Sequence, residues 1–231
     1  MAFTSAMQQS DFRSRPDDSG EEALPLPTGT SVYDSLTTKF VAFPRLLETL
    51  AEATHSGYVK LVAPGVNGIV LLREGQVVDA LFRGQESLQR GNDALDLIQA
   101  AVSEGSGVLD IVALEPAIVD GLHGVASGRA MYPELTASWV NAEGLVAHLK
   151  DRSFSGSLIV TSQAGRGVII FENGNVSASF TTASRQLAPN EKEVLGLCAD
   201  QEARLEVREL ERTGTGPNGS VATAVSSVFE G

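Results

Sequence analysis

Residues 56–81 read SGYVKLVAPGVNGIVLLREGQVVDAL, and residues 155–180 read SGSLIVTSQAGRGVIIFENGNVSASF. At a constant offset of 99 residues, Ser56-Gly57 meets Ser155-Gly156, Gly68 meets Gly167, Gly75 meets Gly174 and Val77 meets Val176, with no gap. Outward at the same offset, Leu46 and Leu50 meet Leu145 and Leu149. Glycines mark turns and leucines four apart mark a helical face, so their joint agreement identifies an internal repeat.

Each copy has the same local grammar. An amphipathic helix comes first, with Phe43, Leu46, Leu47, Leu50 and Thr54 on one face in copy one, and Trp139, Leu145, Val146 and Leu149 in copy two. Three strands follow the Ser-Gly stop: Tyr58 to Ala63, Gly68 to Arg73 and Gln76 to Phe82, repeated as Ser157 to Ser162, Gly167 to Glu172 and Asn175 to Phe180. Glu74-Gly75 and Asn173-Gly174 supply the positive φ angles of a two-residue hairpin turn. A second helix begins at Asn92 or Asp93, with Leu95, Ile98 and Val102 on one face. Its counterpart starts at Asn190, with Glu193 at the capping-box position and Val194, Leu197 and Cys198 on one face. A last strand, Val108 to Ala113 or Arg204 to Leu210, closes each unit.

Between the copies, Pro116 suits a first helical turn, and Ile118, Leu122 and Val125 share a face, predicting a connecting helix over 116–127 that Gly121 and Gly124 weaken. The middle strands are apolar at every position, Ile69-Val70-Leu71-Leu72 and Val168-Ile169-Ile170-Phe171, where a strand with one wet face would alternate. Both faces of each sheet should therefore be covered. The expected fold class is α+β: two tandem αβββαβ repeats with antiparallel sheets, joined by a helix. The expected organisation is an acidic flexible arm (1–35), repeat one (36–115), helix and linker (116–136), repeat two (137–211) and a tail (212–231).

The 231 residues carry 17 Lys+Arg against 29 Asp+Glu, a formal net charge of −12. That field repels phosphate backbones and anionic lipid, which argues against nucleic acid and membrane as partners. One cysteine, Cys198, excludes an intramolecular disulfide and fits a reducing compartment. No apolar run reaches the roughly 18 residues of a membrane span, and the first residues lack a signal-peptide core. A cytoplasmic protein is expected.

Catalytic and cofactor signatures are weak throughout. Gly214, Gly216 and Gly219 spell a G-x-G-x-x-G, but only twelve residues follow, too few for the unit a dinucleotide site needs, so a tail is the better reading. Loops 64–68 and 163–167 need glycine for turning whether or not they hold an anion. His55, His123 and His148 lack metal-ligand spacing, and His55 meets Phe154 across the repeat, marking a half-buried packing position. Asp79 meets Ala178, which disfavours a duplicated catalytic aspartate. Cys198 reads as a small buried hydrophobe. No catalytic residue, metal or cofactor is expected.

The segments that differ most between copies join the third strand to the second helix and carry Arg83, Glu86, Arg90 and Arg185, candidates for an interaction surface. Val221, Val225, Val228 and Phe229 add a short apolar pattern in the tail that could dock as a helix.

The order helix, Ser-Gly, strand, glycine plus apolar run, turn glycine, strand resembles the PatA N-terminal (PATAN) family of bacterial regulators. The residues that carry it are Leu46 with Leu50, Ser56-Gly57, Gly68 to Leu72, Glu74-Gly75, Val77 and Asp79-Ala80, and again Leu145 with Leu149, Ser155-Gly156, Gly167 to Phe171, Asn173-Gly174, Val176 and Ala178-Ser179. The resemblance spans about residues 40 to 210 and implies a non-catalytic signalling or adaptor protein, with motility control among the family's roles. The chain departs from the pattern in having no room for a receiver domain beside the two copies. The expected function is accordingly a bacterial regulatory or scaffold protein acting on a protein partner, with homodimerisation as one form. The competing reading is a small-ligand sensor or weak enzyme with a site between the repeats.

Overall fold

The computed structural model describes residues 24–85 and 87–210. Repeat one begins with strand β1 (Thr30–Thr37) and a 3-10 turn (Thr38–Phe40), then α1 (Phe43–Glu52), β2 (Gly57–Ala63), β3 (Val66–Arg73), β4 (Gln76–Arg83), β5 (Leu88–Arg90), α2 (Gly91–Ser103) and β6 (Val108–Ala113). Helix α3 (Pro116–Ser127) leads into repeat two: β7 (Arg129–Thr136), α4 (Ala142–Asp151), β8 (Gly156–Ser162), β9 (Gly165–Glu172), β10 (Asn175–Thr181), α5 (Lys192–Gly196), a second 3-10 turn (Leu197–Ala199) and β11 (Arg204–Glu209). The sheets are antiparallel, in the orders β1-β6-β2-β3-β4-β5 and β10-β9-β8-β11-β7.

The mixed α+β architecture is as expected, and Gly57, Gly68 and Gly75 occupy the same elements as Gly156, Gly167 and Gly174. Glu74 (φ 50°) with Gly75 (φ 84°), and Asn173 (φ 50°) with Gly174 (φ 79°), form the tight hairpin turns with both central residues at positive φ. Helix α3 runs over the predicted residues.

Side-chain alternation explains why β3 and β9 are apolar throughout. Val70 and Leu72 face outward into a core with α1 and α2, while Ile69 and Leu71 face inward. In repeat two, Ile169 and Phe171 face outward toward α4 and α5, and Val168 and Ile170 inward. The inward residues of both sheets close on α3 through Ile118, Val119, Leu122 and Val125. The result is helices, sheet, α3, sheet, helices, with one helix serving two sheets. Gly121 permits this: a Cβ there would lie 2.4 Å from a side-chain carbon of Ile170. The glycine that lowers α3's intrinsic helix propensity is the one that lets β9 pack against it.

Several expectations need correction. Residues 24–35, expected in a flexible arm, belong to the fold: Leu24 and Leu26 are buried in the central core and Thr30 opens β1, paired to β6. Residues 129–136 were assigned to a linker, yet they form β7, paired to β11. Each unit therefore starts one strand earlier than the αβββαβ reading. Trp139 is not on the helix face; Asn141 caps α4, its side chain accepting from the Gly144 N–H at 2.9 Å. Glu193 does not close a capping box, because its carboxylate accepts from the Thr181 hydroxyl at 2.8 Å. The acidic part of the arm before residue 24, Glu86 and the tail with Val221, Val225, Val228 and Phe229 lie outside the described residues.

Candidate functional site

Of the three described arginines expected at an interaction surface, Arg90 and the backbone of Arg185 make contacts that tie elements of the fold together. Arg90, at the end of β5, donates from Nη1 to the Ala126 carbonyl of α3. The Arg185 carbonyl accepts from both the Thr28 N–H (2.7 Å) and the Thr28 hydroxyl (2.9 Å), tying the segment before β1 to repeat two. Arg83 ends β4, half-buried, with a buried Nε that has no hydrogen-bond partner. Nothing described joins Arg83, Arg90 and Arg185 in one site.

A second polar cluster combines residues that the sequence separates. Asp79 of β4 is buried, and its Oδ2 lies 3.4 Å from His123 Nδ1 on α3. Ser127 Oγ, one helical turn beyond His123, lies 3.1 Å from the same nitrogen and donates to the His123 carbonyl at 2.9 Å. A Ser-His-Asp relay needs the acid and the nucleophile on opposite ring nitrogens. Here both crowd Nδ1, and the hydroxyl proton is spent on the helix backbone. Arg73 Nε on Asp120 at 2.8 Å fastens α3 to β3, whereas the buried Asp79 Oδ2 has no hydrogen-bond partner. In repeat two the equivalent position is Ala178, buried in the central core, and α3 packs closely on β9 where Gly121 meets Ile170.

Cys198 is half-buried against the outer core of repeat two, and that burial pushes its thiol up, away from the thiolate that nucleophilic attack requires. Among the described residues no three His, Cys, Asp or Glu side chains gather to hold a metal ion.

His55 sits where expected, half-buried at the position of Phe154. Burial holds its imidazole below the ordinary value of 6.5, opposed by a hydrogen bond to the Val112 backbone, and its Nε2 is buried without a partner. With the folded-state value depressed, the unfolded chain binds the proton first as pH falls. His55 thus contributes stability that is present above pH 6.5 and is lost as pH drops through that value toward the folded one. His55→Phe, which installs the residue of the other repeat, is expected to flatten the dependence of melting temperature on pH just below 6.5. Parallel melts of parent and variant in that window check this; parallel slopes would remove His55 from the acid response. The Glu191 carboxylate, held low by the Lys150 ammonium at 2.7 Å, acts at lower pH, so the two contributions separate.

The feature shared by both repeats is apolar and exposed. Phe40, the last residue of the first 3-10 turn, is 82% exposed, and Trp139, in the turn before α4, is 73% exposed. They stand 99 residues apart, at the same place in the two units. Their backbones are anchored at equivalent residues: Thr38 N–H donates to the Gly107 carbonyl at 3.0 Å, and Ala137 N–H to the Ala203 carbonyl at 2.9 Å. Two residues before the ring, Thr38 is buried and Ala137 half-buried, so in both turns the backbone is held while the aromatic tip projects. In the sequence Trp139 reads as part of a helix face, and Phe40 carries no local signal of its own. The offset that aligned the glycines would have paired them.

Clefts are also present. One of about 510 Å3 lies within repeat two beside the end of α4. Another of about 520 Å3 runs between the start of α3 and the edge strand β10.

Comparison with known proteins adds one relation. The model of a family described as an uncharacterized protein conserved in archaea, DUF2226, matches residues 24–124. No curated protein and no solved structure matches the chain. The match runs from buried Leu24 through β1 and repeat one to Gly124 of α3, which agrees with the earlier start of the unit seen in the fold. It overturns the PATAN-like expectation, and with it the bacterial signalling, adaptor and motility role: the family that matches is conserved in archaea. The residues behind that expectation were turn glycines and apolar strand positions, which report how a hairpin folds rather than what it binds. Over less than half its length, this chain is similar to that archaeal family.

Proposed function

We propose that the chain is a non-catalytic binding protein that engages a protein partner through Phe40 and Trp139. The observation that carries this is the exposure of a large aromatic side chain at the same position of both repeats. Each such ring leaves an apolar area facing water, and aromatic side chains held on anchored backbone are the residues that dominate binding energy when they enter a partner's pocket. Lone exposed apolar residues occur on any protein surface, but a matched pair on a duplicated frame is not explained by that. A partner with a basic surface suits the net charge of −12, which accelerates its approach.

The test is partner capture by the full chain against the Phe40→Ser and Trp139→Ser single variants and the double variant. Neither ring supports the core, so all variants should melt within about 0.5 kcal/mol of the parent, the usual range for surface changes. Each single change is expected to weaken binding by at least tenfold, or about 1.4 kcal/mol. Retention of the same partners at the same affinity by the double variant would refute the reading.

At the fold level, no described helix is long and apolar enough to cross a membrane.

A further inference from the structure

We propose that the cleft within repeat two binds a small amphipathic anion: a carboxylate or phosphate monoester carried on an apolar body. Its volume, about 510 Å3, falls in the range of small-molecule sites. Leu149 and Phe154, both buried, and the strand residues Met131 and Tyr132 supply the apolar part of the lining, and Ser153, Ser155 and Asn173 the uncharged polar part. His148 and Arg152, one helical turn apart at the end of α4, stand exposed on its rim. Neither makes an ion pair, and neither side chain accepts or donates a hydrogen bond with a carboxylate among the described residues. The one carboxylate in the lining, Glu209, is engaged by Arg129 at 2.7 Å.

The comparison that carries the inference is internal to the chain. At the positions of His148, Arg152 and Asn173, repeat one has Thr49, Ala53 and Glu74. At these three positions repeat one thus carries one carboxylate, paired with Arg73, and no base, whereas repeat two carries two bases, and the only carboxylate in the lining is already paired with Arg129. Basic residues at a helix C-terminus also complement the helix dipole, which accounts for His148 by itself. That effect does not account for Arg152, which follows the helix end, nor for the apolar side chains of Leu149 and Phe154 beneath the two bases; Asn173 is explained by its positive φ in the turn. On a chain of net charge −12, unpaired bases over an apolar lining select an anionic head and an apolar body.

Calorimetric titration of the full chain with octanoate, octyl phosphate and octanol tests this, because the three share a tail and differ in head group. At least one anion is expected to bind saturably and at least fivefold more tightly than octanol, and whichever does so identifies the head group. The double variant His148→Gln, Arg152→Gln, altered only at exposed positions, should lose that preference and keep its affinity for octanol. Equal binding of all three, binding of none, or an anion preference unchanged in the double variant would overturn the proposal.

Discussion

Val70→Asp and Ile169→Asp are each expected to abolish cooperative folding or to lower stability by several kcal/mol, with equal severity in the two repeats. Both side chains have 0% exposure, and each lies at the centre of an outer core, Val70 with α1 and α2, Ile169 with α4 and α5. The substitution removes about 1.5–3 kcal/mol of apolar burial and leaves a carboxylate with an effective burial penalty of several kcal/mol. Set against a total stability on the order of 5–15 kcal/mol, that loss is large. The sign of the pH dependence distinguishes burial from mere loss of packing. A buried aspartate has its folded value raised above the unfolded value of about 3.9, so the variants should fare relatively better in acid and worse as pH rises. Urea midpoints at pH 4.5 and pH 7.5, followed by circular dichroism, read both effects. Midpoints equal to the parent's would mean that these strands are not covered on their outer faces.

What was legible in the sequence were the parts whose chemistry is local. Turn glycines, the four-residue spacing of leucines and the unbroken apolar runs placed α1, β2 to β4 and β8 to β10, and Pro116 with Ile118, Leu122 and Val125 placed α3. The edge strands β1 and β7 were lost because nothing local marks them. Thr30 to Ser35 are all exposed, β1 carries register shifts and Ser35 at φ 55°, and β7 contains Pro133, so neither alternates as a half-buried strand should. These irregularities blunt an exposed edge at the expense of a readable pattern. A signal nevertheless existed: at the same offset of 99, Tyr33, Leu36 and Thr37 meet Tyr132, Leu135 and Thr136. Leu24 and Leu26 were illegible for a different reason. Two leucines among prolines bear no period, and only the space between two sheets makes them core.

The candidate site divides along the same line. Arg90 and Arg185 stand in variable connectors, where binding is common, but one fastens α3 and the other a neighbouring segment, which no linear reading reveals. The Asp79 and His123 pair is 44 residues apart in sequence and meets only because α3 crosses β4. Phe40 and Trp139 differ again: the repeat offset exposes their equivalence, whereas their exposure requires the fold.

Gly57→Ala and Gly156→Ala are expected to be among the most damaging single-methyl additions, each lowering stability by about 2–4 kcal/mol from backbone strain and overpacking combined. Both glycines open the first strand after their repeat's leading helix, at φ 149° and 156°, a conformation that side chains rarely adopt. The methyl has nowhere to go: it would lie 1.9 Å from the Val112 carbonyl oxygen in one copy and 2.2 Å from that of Arg208 in the other. Those carbonyls belong to β6 and β11, the neighbours of β2 and β8, so relief requires parting two central strands. Backbone cannot swing aside as the tip of a long side chain can. Gly196→Ala is the matched control, since it sits in α5 with nothing within 4 Å of the added methyl, and alanine favours a helix by about 1 kcal/mol over glycine. For a chain of this size, about 2–4 °C per kcal/mol places the two strand variants roughly 5–15 °C below the parent in melting temperature, with Gly196→Ala at or above it. A Gly57→Ala protein that melted with the parent would mean that β2 and β6 stand farther apart than carbonyl contact. If only one of the pair were damaged, the two repeats would share their turn without sharing the strand spacing that makes glycine necessary there.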